Sequence, residues 1–152
     1  DEGDAVGAIS QEAALLRSAA ALSFSYPRHF SFEADLSDAA SHVWTLSGND
    51  VKIMIFRQVA QVSAEDFAKA MAENYPSDAT IAPTSIKLGE AQYAGHRVRA
   101  RLANHQFIQD VFSLPALGEQ GRLVILQADG EGNSPENGPT RELLAKTFRV
   151  SK

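Results

Sequence analysis

Hydrophobic side chains recur along this chain with two different periods, and the switches between them predict its elements. In the Ala-rich stretch from Ala8 to Ala20, Ile9, Ala13, Leu16 and Ala20 fall at helical spacing, with Ser10 placed to cap a short helix. Leu22, Phe24 and Tyr26 then alternate with Ser23 and Ser25, which is strand periodicity until Pro27 interrupts it. Phe30, Phe32 and Ala34 alternate again, and a polar turn is expected over Asp35–Ser41. His42–Leu46 and Val51–Gln58 flank Ser47-Gly48-Asn49-Asp50, a cluster suited to a hairpin turn. The second arm, Lys52-Ile53-Met54-Ile55-Phe56, is apolar on both faces in part, as a covered central strand would be.

Ser63-Ala64-Glu65-Asp66 is a Ser-x-x-acid capping pattern. Behind it Ala64, Phe67, Ala68, Met71 and Tyr75 share one helical face, and Pro76 predicts the end of that helix. Three strand-like runs follow, Ser85–Leu88, Gln92–Leu102 and Gln106–Leu114, and then Arg122–Ala128 as a buried strand. Asp129–Pro139 is rich in Gly, Pro and Asn and reads as a mobile loop without an apolar anchor. A last helix is expected to start at Gly138 and Pro139, with Leu143, Leu144, Thr147 and Phe148 on its apolar side. Strands in hairpin-linked runs with inserted helices predict an α+β fold, an antiparallel β-sheet flanked by helices, over a parallel doubly wound one.

At 152 residues the chain is long enough for one domain with its own core, so it needs no disulfide or metal staple. We divide it into an N-terminal tail with the short Ala-rich helix, residues 1–20, and an α+β domain, residues 21–152. Residues 1–50 hold eight acids and two bases, while residues 51–152 hold eleven acids and twelve bases. The acidity is thus an N-terminal property, and the clustered cations of a nucleic-acid binder are missing. The absence of cysteine excludes thiolate catalysis and Cys-ligated zinc. No run of 18 apolar residues occurs, so no membrane span is expected. The start at Asp1 rather than Met predicts a missing upstream segment: a signal peptide, a lipoprotein leader that would supply a lipid anchor, or part of a longer chain.

The order Leu22-Ser23-Phe24-Ser25-Tyr26-Pro27, Phe30, a hairpin, Ser63 with Asp66-Phe67, and finally Leu143-Leu144 with Phe148 resembles the PsbP-like superfamily. That superfamily includes photosystem II extrinsic PsbP proteins, bacterial DcrB-type lipoproteins and a Ran-binding nuclear-import factor. The resemblance spans about residues 21–150, with Phe30 where such proteins often carry Trp. It implies an α/β/α sandwich around an antiparallel sheet and a non-catalytic binding or assembly module, exported to the periplasm or cell envelope, with a protein partner and no cofactor.

Motifs with chemistry are few. His29, His42, His96 and His105 are scattered and never at metal-ligand spacing. Asp129-Gly130-Glu131-Gly132-Asn133 starts like a calcium loop, but Ser134 and Thr140 stand where Gly and a bidentate Glu are required. No nucleophile elbow, Walker loop or dinucleotide fingerprint occurs. Trp44, Phe56, Phe67, Phe107 and Phe112 are expected in the core.

The most informative polar pattern is Arg97-Val98-Arg99-Ala100-Arg101, which puts three guanidiniums on one sheet face. With Asn104-His105 as a two-residue turn, Arg99 would lie opposite Asp110, Arg101 opposite Ile108 and Arg97 opposite Phe112. Arg97, Arg99, Arg101 and Asp110 are therefore the candidate binding residues, able to grip a carboxylate, a phosphate or an acidic surface. The plainer account is a face whose Arg stems cover apolar neighbours while their heads reach water. Two other functions stay open: a small-ligand carrier with an apolar cavity for an anionic or apolar ligand, and a hydrolase using His96 or His105 with Asp110.

Overall fold

The structure, a computed structural model, describes residues 6–7, 11–59, 62–75 and 78–150. The elements run β1 (Val6–Gly7), α1 (Gln11–Ala20), β2 (Leu22–Ser23), β3 (Tyr26–Pro27), β4 (Ser31–Asp38), β5 (Ser41–Ser47) and β6 (Val51–Gln58). After α2 (Ala64–Glu73) come β7 (Thr80–Leu88), β8 (Ala91–Leu102), β9 (His105–Leu117), β10 (Gln120–Asp129), α3 (Asn137–Thr147) and β11 (Arg149–Val150). Seven strands form one sheet in the order β4-β5-β6-β10-β9-β8-β7, and every neighbouring pair is antiparallel. Two meanders, β4 to β6 and β7 to β10, thus meet where β10 pairs with β6, and α2 makes the crossing between them. The α+β expectation holds.

Both faces of the sheet carry a hydrophobic cluster. On one, Trp44, Leu46, Ile53, Ile55, Ile108, Phe112, Val124 and Leu126 meet Leu16 and Ala20 of α1 and Leu144 of α3. Phe24 stacks on Phe148 there, at 5.8 Å between ring centres. On the other face Val98, Ala100, Phe107, Val111, Leu123 and Ile125 meet Ala64 and Ala68 of α2, with Phe67 and Met71 packed alongside. The two-sided apolar character expected of β6 follows from this: Ile53 and Ile55 face the first cluster, Met54 and Phe56 the second. Trp44, Phe107 and Phe112 are buried as expected, whereas Phe56 and Phe67 are half-buried.

Several boundaries differ from the sequence expectation, each for a physical reason. The first helix begins at Gln11, and its expected Ser10 cap lies outside the described residues, as does Pro76. Leu22, Phe24 and Tyr26 are all buried, but the run splits into β2, paired with β11, and β3, paired with β1. β4 continues through Asp35–Asp38, where a turn was expected, because an edge strand can stay polar on both faces. Its acids and the register shift between Asp35 and Asp38 also block further pairing at that edge, as Pro83 does on β7. α3 begins two residues early, with Glu136 rather than Gly138 at the cap position and Pro139 still in the first turn. Ser63 caps α2 as expected, its hydroxyl accepting from the Asp66 amide at 3.0 Å.

α1 is docked by charge as well as by Leu16. Its last carbonyls would be unsatisfied against the sheet. Arg57 on β6 and its cross-strand neighbour Arg122 on β10 donate to Ala19 and Ala20, at 2.8 and 2.9 Å. Two guanidiniums at the negative end of a helix complement its dipole as well as its hydrogen bonding. Among the described residues no helix is long and apolar enough to cross a membrane.

Candidate functional site

Arg97, Arg99 and Arg101 do share one face of β8, but their partners across β9 are not the expected ones. The turn falls on Ala103-Asn104, so Leu102 pairs with His105 and the register moves by two residues. Arg97 lies opposite Asp110, Arg99 opposite Ile108 and Arg101 opposite Gln106. The turn has this placement although Ala103 must adopt a left-handed φ of +57°, a conformation that residue type disfavours. An even shift preserves the pleat, so the side chains keep their expected faces.

Asp110 is fully buried and takes three charge-assisted hydrogen bonds. Arg97 grips it as a fork, Nε to Oδ1 at 2.7 Å and Nη2 to Oδ2 at 2.8 Å, and Arg141 from α3 donates Nη2 to Oδ2 at 2.8 Å. The Asp110 hydrogen bonds raise the Arg97 pKa above its ordinary value against the opposing effect of burial. Arg99 donates to Glu131 at 2.9 Å, and Gln106 donates to the other oxygen of that carboxylate at 2.7 Å. The Arg99 hydrogen bond is the main cause of the lowered Glu131 pKa. Arg101 is exposed and has no ion-pair partner among the described residues. Two of the three guanidiniums are therefore engaged within the chain, where they seat α3 and the loop before it.

That loop has polar anchors in place of apolar ones. Besides Glu131, Asn137 donates to the Gly132 carbonyl at 2.7 Å. The Glu136 carboxylate sits over the β5–β6 turn and accepts from the amides of Asn49, Asp50 and Val51 at 3.1, 2.8 and 2.9 Å, and it lies 2.6 Å from His29 Nε2. Burial opposes ionisation of Glu136, but His29 and the turn amides outweigh it and hold the pKa below the ordinary value. A lowered folded-state pKa means that this contribution is fully present above the unfolded value of about 4.3 and is lost as pH falls through the folded value. We expect Glu136→Gln to cost about 2 kcal/mol near pH 7, in the range of hydrogen bonds to a charged group. In urea titrations the gap between wild type and variant should close as the pH is lowered through this window.

The histidines do not converge on Asp110. His105 Nε2 lies 2.9 Å from Asp129, and His96, on the opposite face of β8 from Arg97, lies 3.5 Å from Glu65. The hydrolase constellation is thus not assembled by the fold, and Asp129 and Glu131 of the would-be calcium loop are bonded to His105, Arg99 and Gln106.

The same face of β8 continues from Arg97 through Gly95 to Tyr93 and Ala91, and there it borders an open groove of about 700 Å³. Leu88, Tyr93, Pro115, Ala116, Phe148 and Val150 form apolar walls, with Arg122, Arg149 and Glu90 as the charged members. The β7–β8 turn positions one wall. Gly89 has φ +65° and donates its amide to the Ala145 carbonyl of α3 at 2.9 Å, and a Cβ there would lie 2.3 Å from the Phe148 carbonyl. No other residue lets the turn approach the end of α3 so closely. Arg122 is buried at the groove, with Nε and Nη2 donating to the Pro115 carbonyl at 3.0 and 2.6 Å, and burial lowers its pKa. The space among Leu16, Phe24, Tyr26 and Leu46 in the first hydrophobic cluster is by contrast small, about 10 Å³.

No protein-family model matches the chain, and no curated protein matches it at a significant level.

Proposed function

We propose that this protein is an exported, non-catalytic binding or assembly module, a PsbP-like α/β/α sandwich, that receives a segment of a partner protein in the groove beside the end of α3. The observation that carries this reading is the groove itself, an open cleft of about 700 Å³ with Tyr93, Pro115, Ala116 and Val150 among its apolar wall residues. Arg97, Arg99 and Asp110 contribute by holding α3 and its loop in place, and Arg101 stays available to an acidic surface of the partner. A photo-crosslinking residue at Ala116, installed in the protein in its native cell, should yield one defined protein adduct, while the same residue at Glu33 on the far edge strand should not. Equal adducts from both positions would remove the groove from consideration. A volume of about 700 Å³ also lies within the range of small-molecule sites, about 300–1,000 Å³, which supports the carrier as a second reading. Recovery of a stoichiometric small molecule with the purified protein, and a thermal midpoint raised by it, would favour the carrier.

A further inference from the structure

Any partner that covers the groove removes Arg149 and Glu90, its exposed charges, from water, and these then need partners within the interface. Arg149 decides what the partner must bring. Its Nη1 donates to the carbonyls of Phe148 and Lys146 at 2.9 and 3.4 Å, which fixes the guanidinium at the C-terminal end of α3. Among the described residues its Nε and Nη2 donors have no protein partner and no carboxylate lies within ion-pair distance of it. Arg97 and Arg99 differ in this, since carboxylates of the chain already occupy them. Of the lining charges, Arg122 is buried and bonded to the Pro115 and Ala20 carbonyls, which leaves Arg149 and Glu90 exposed. A neutral segment would strand the Arg149 fork, which matches carboxylate geometry.

Resting on the proposed role of the groove, we infer that it takes an extended peptide in which a carboxylate stands next to a hydrophobic side chain, the carboxylate on Arg149 and the hydrophobe between Tyr93, Pro115 and Phe148. The experiment selects heptapeptides with free carboxyl termini from a random library on the intact protein. Affinities of the selected peptides and of their amidated or Asp→Asn and Glu→Gln versions are then measured by fluorescence anisotropy. Selected peptides should pair Leu, Ile or Phe with an acid or with the terminus. Arg149→Gln should weaken them about 10-fold, about 1.4 kcal/mol, with Arg149→Lys recovering part of the loss. Removing the peptide's carboxylate should weaken binding to wild type by a similar factor and leave binding to Arg149→Gln nearly unchanged. Circular dichroism of both variants separates this from unfolding. Selected peptides without acidic bias, or carboxylate removal that costs the same in wild type and Arg149→Gln, would overturn the inference while sparing the groove. If no selected peptide is lost on Ala116→Trp, the groove reading itself fails. Binding of dodecanoate but of no peptide would overturn the inference in favour of the carrier.

Discussion

Replacing Asp110 by Asn should cost about 3 kcal/mol, the lower end of what breaking a buried ion pair costs, because the two guanidiniums left behind are partly exposed. Their side chains keep 25% and 21% of their accessibility, so water can take over part of the role of the carboxylate. The expected readout is a lower urea midpoint with an unchanged slope. A hydrophobic replacement of the whole triad tests what it is for. If Arg97→Met, Asp110→Leu and Arg141→Met are combined, the desolvation of three charges disappears together with their attraction, and stability should return to within about 1 kcal/mol of wild type. The triad would then serve to set where α3 lies on β8 and β9 rather than to add net stability. Equal losses in the single and triple variants would show instead that the charges themselves stabilise the fold.

How much of this could be seen in the chain depends on how local each cause is. α2 was legible because Ser63, Asp66 and the apolar positions behind them lie within one short stretch. The β5–β6 hairpin and the antiparallel sheet were legible for the same reason. The β8–β9 register was missed by two residues because Asn104-His105 looks like the better turn, while the fold places Ala103 in the left-handed region. Arg97 and Asp110 were rightly placed on one face, but their pairing depended on that single turn residue. The rest of the site comes from contacts that no local pattern encodes. Arg141 reaches Asp110 across 31 positions, Glu136 reaches Val51 across 85, and Arg122 reaches Ala20 across 102. The groove likewise exists only because Gly89 lets the β7–β8 turn approach the end of α3.

Gly95 should be the least replaceable glycine of the sheet. It sits between the groove residue Tyr93 and the triad residue Arg97, directly across from Phe112. A Cβ there would lie 2.1 Å from the Val111 carbonyl oxygen and 2.5 Å from Cδ1 of the Phe112 ring. Contacts this short require movement, and the nearer obstacle is backbone of a central strand, which cannot rotate away as a side chain can. Gly95→Ala should therefore cost about 3 kcal/mol, the upper end of ordinary overpacking, and Gly95→Val more. The two obstacles can be told apart. Trimming the ring by Phe112→Leu relieves the 2.5 Å contact but leaves the carbonyl, so adding it to Gly95→Ala should restore little of the loss. Recovery of most of the stability in the double variant would identify the ring as the obstacle and show that β8 and β9 can separate at this point. Such a separation would displace Tyr93 and Arg97 together, so the proposed groove and the charge triad would be lost as one unit.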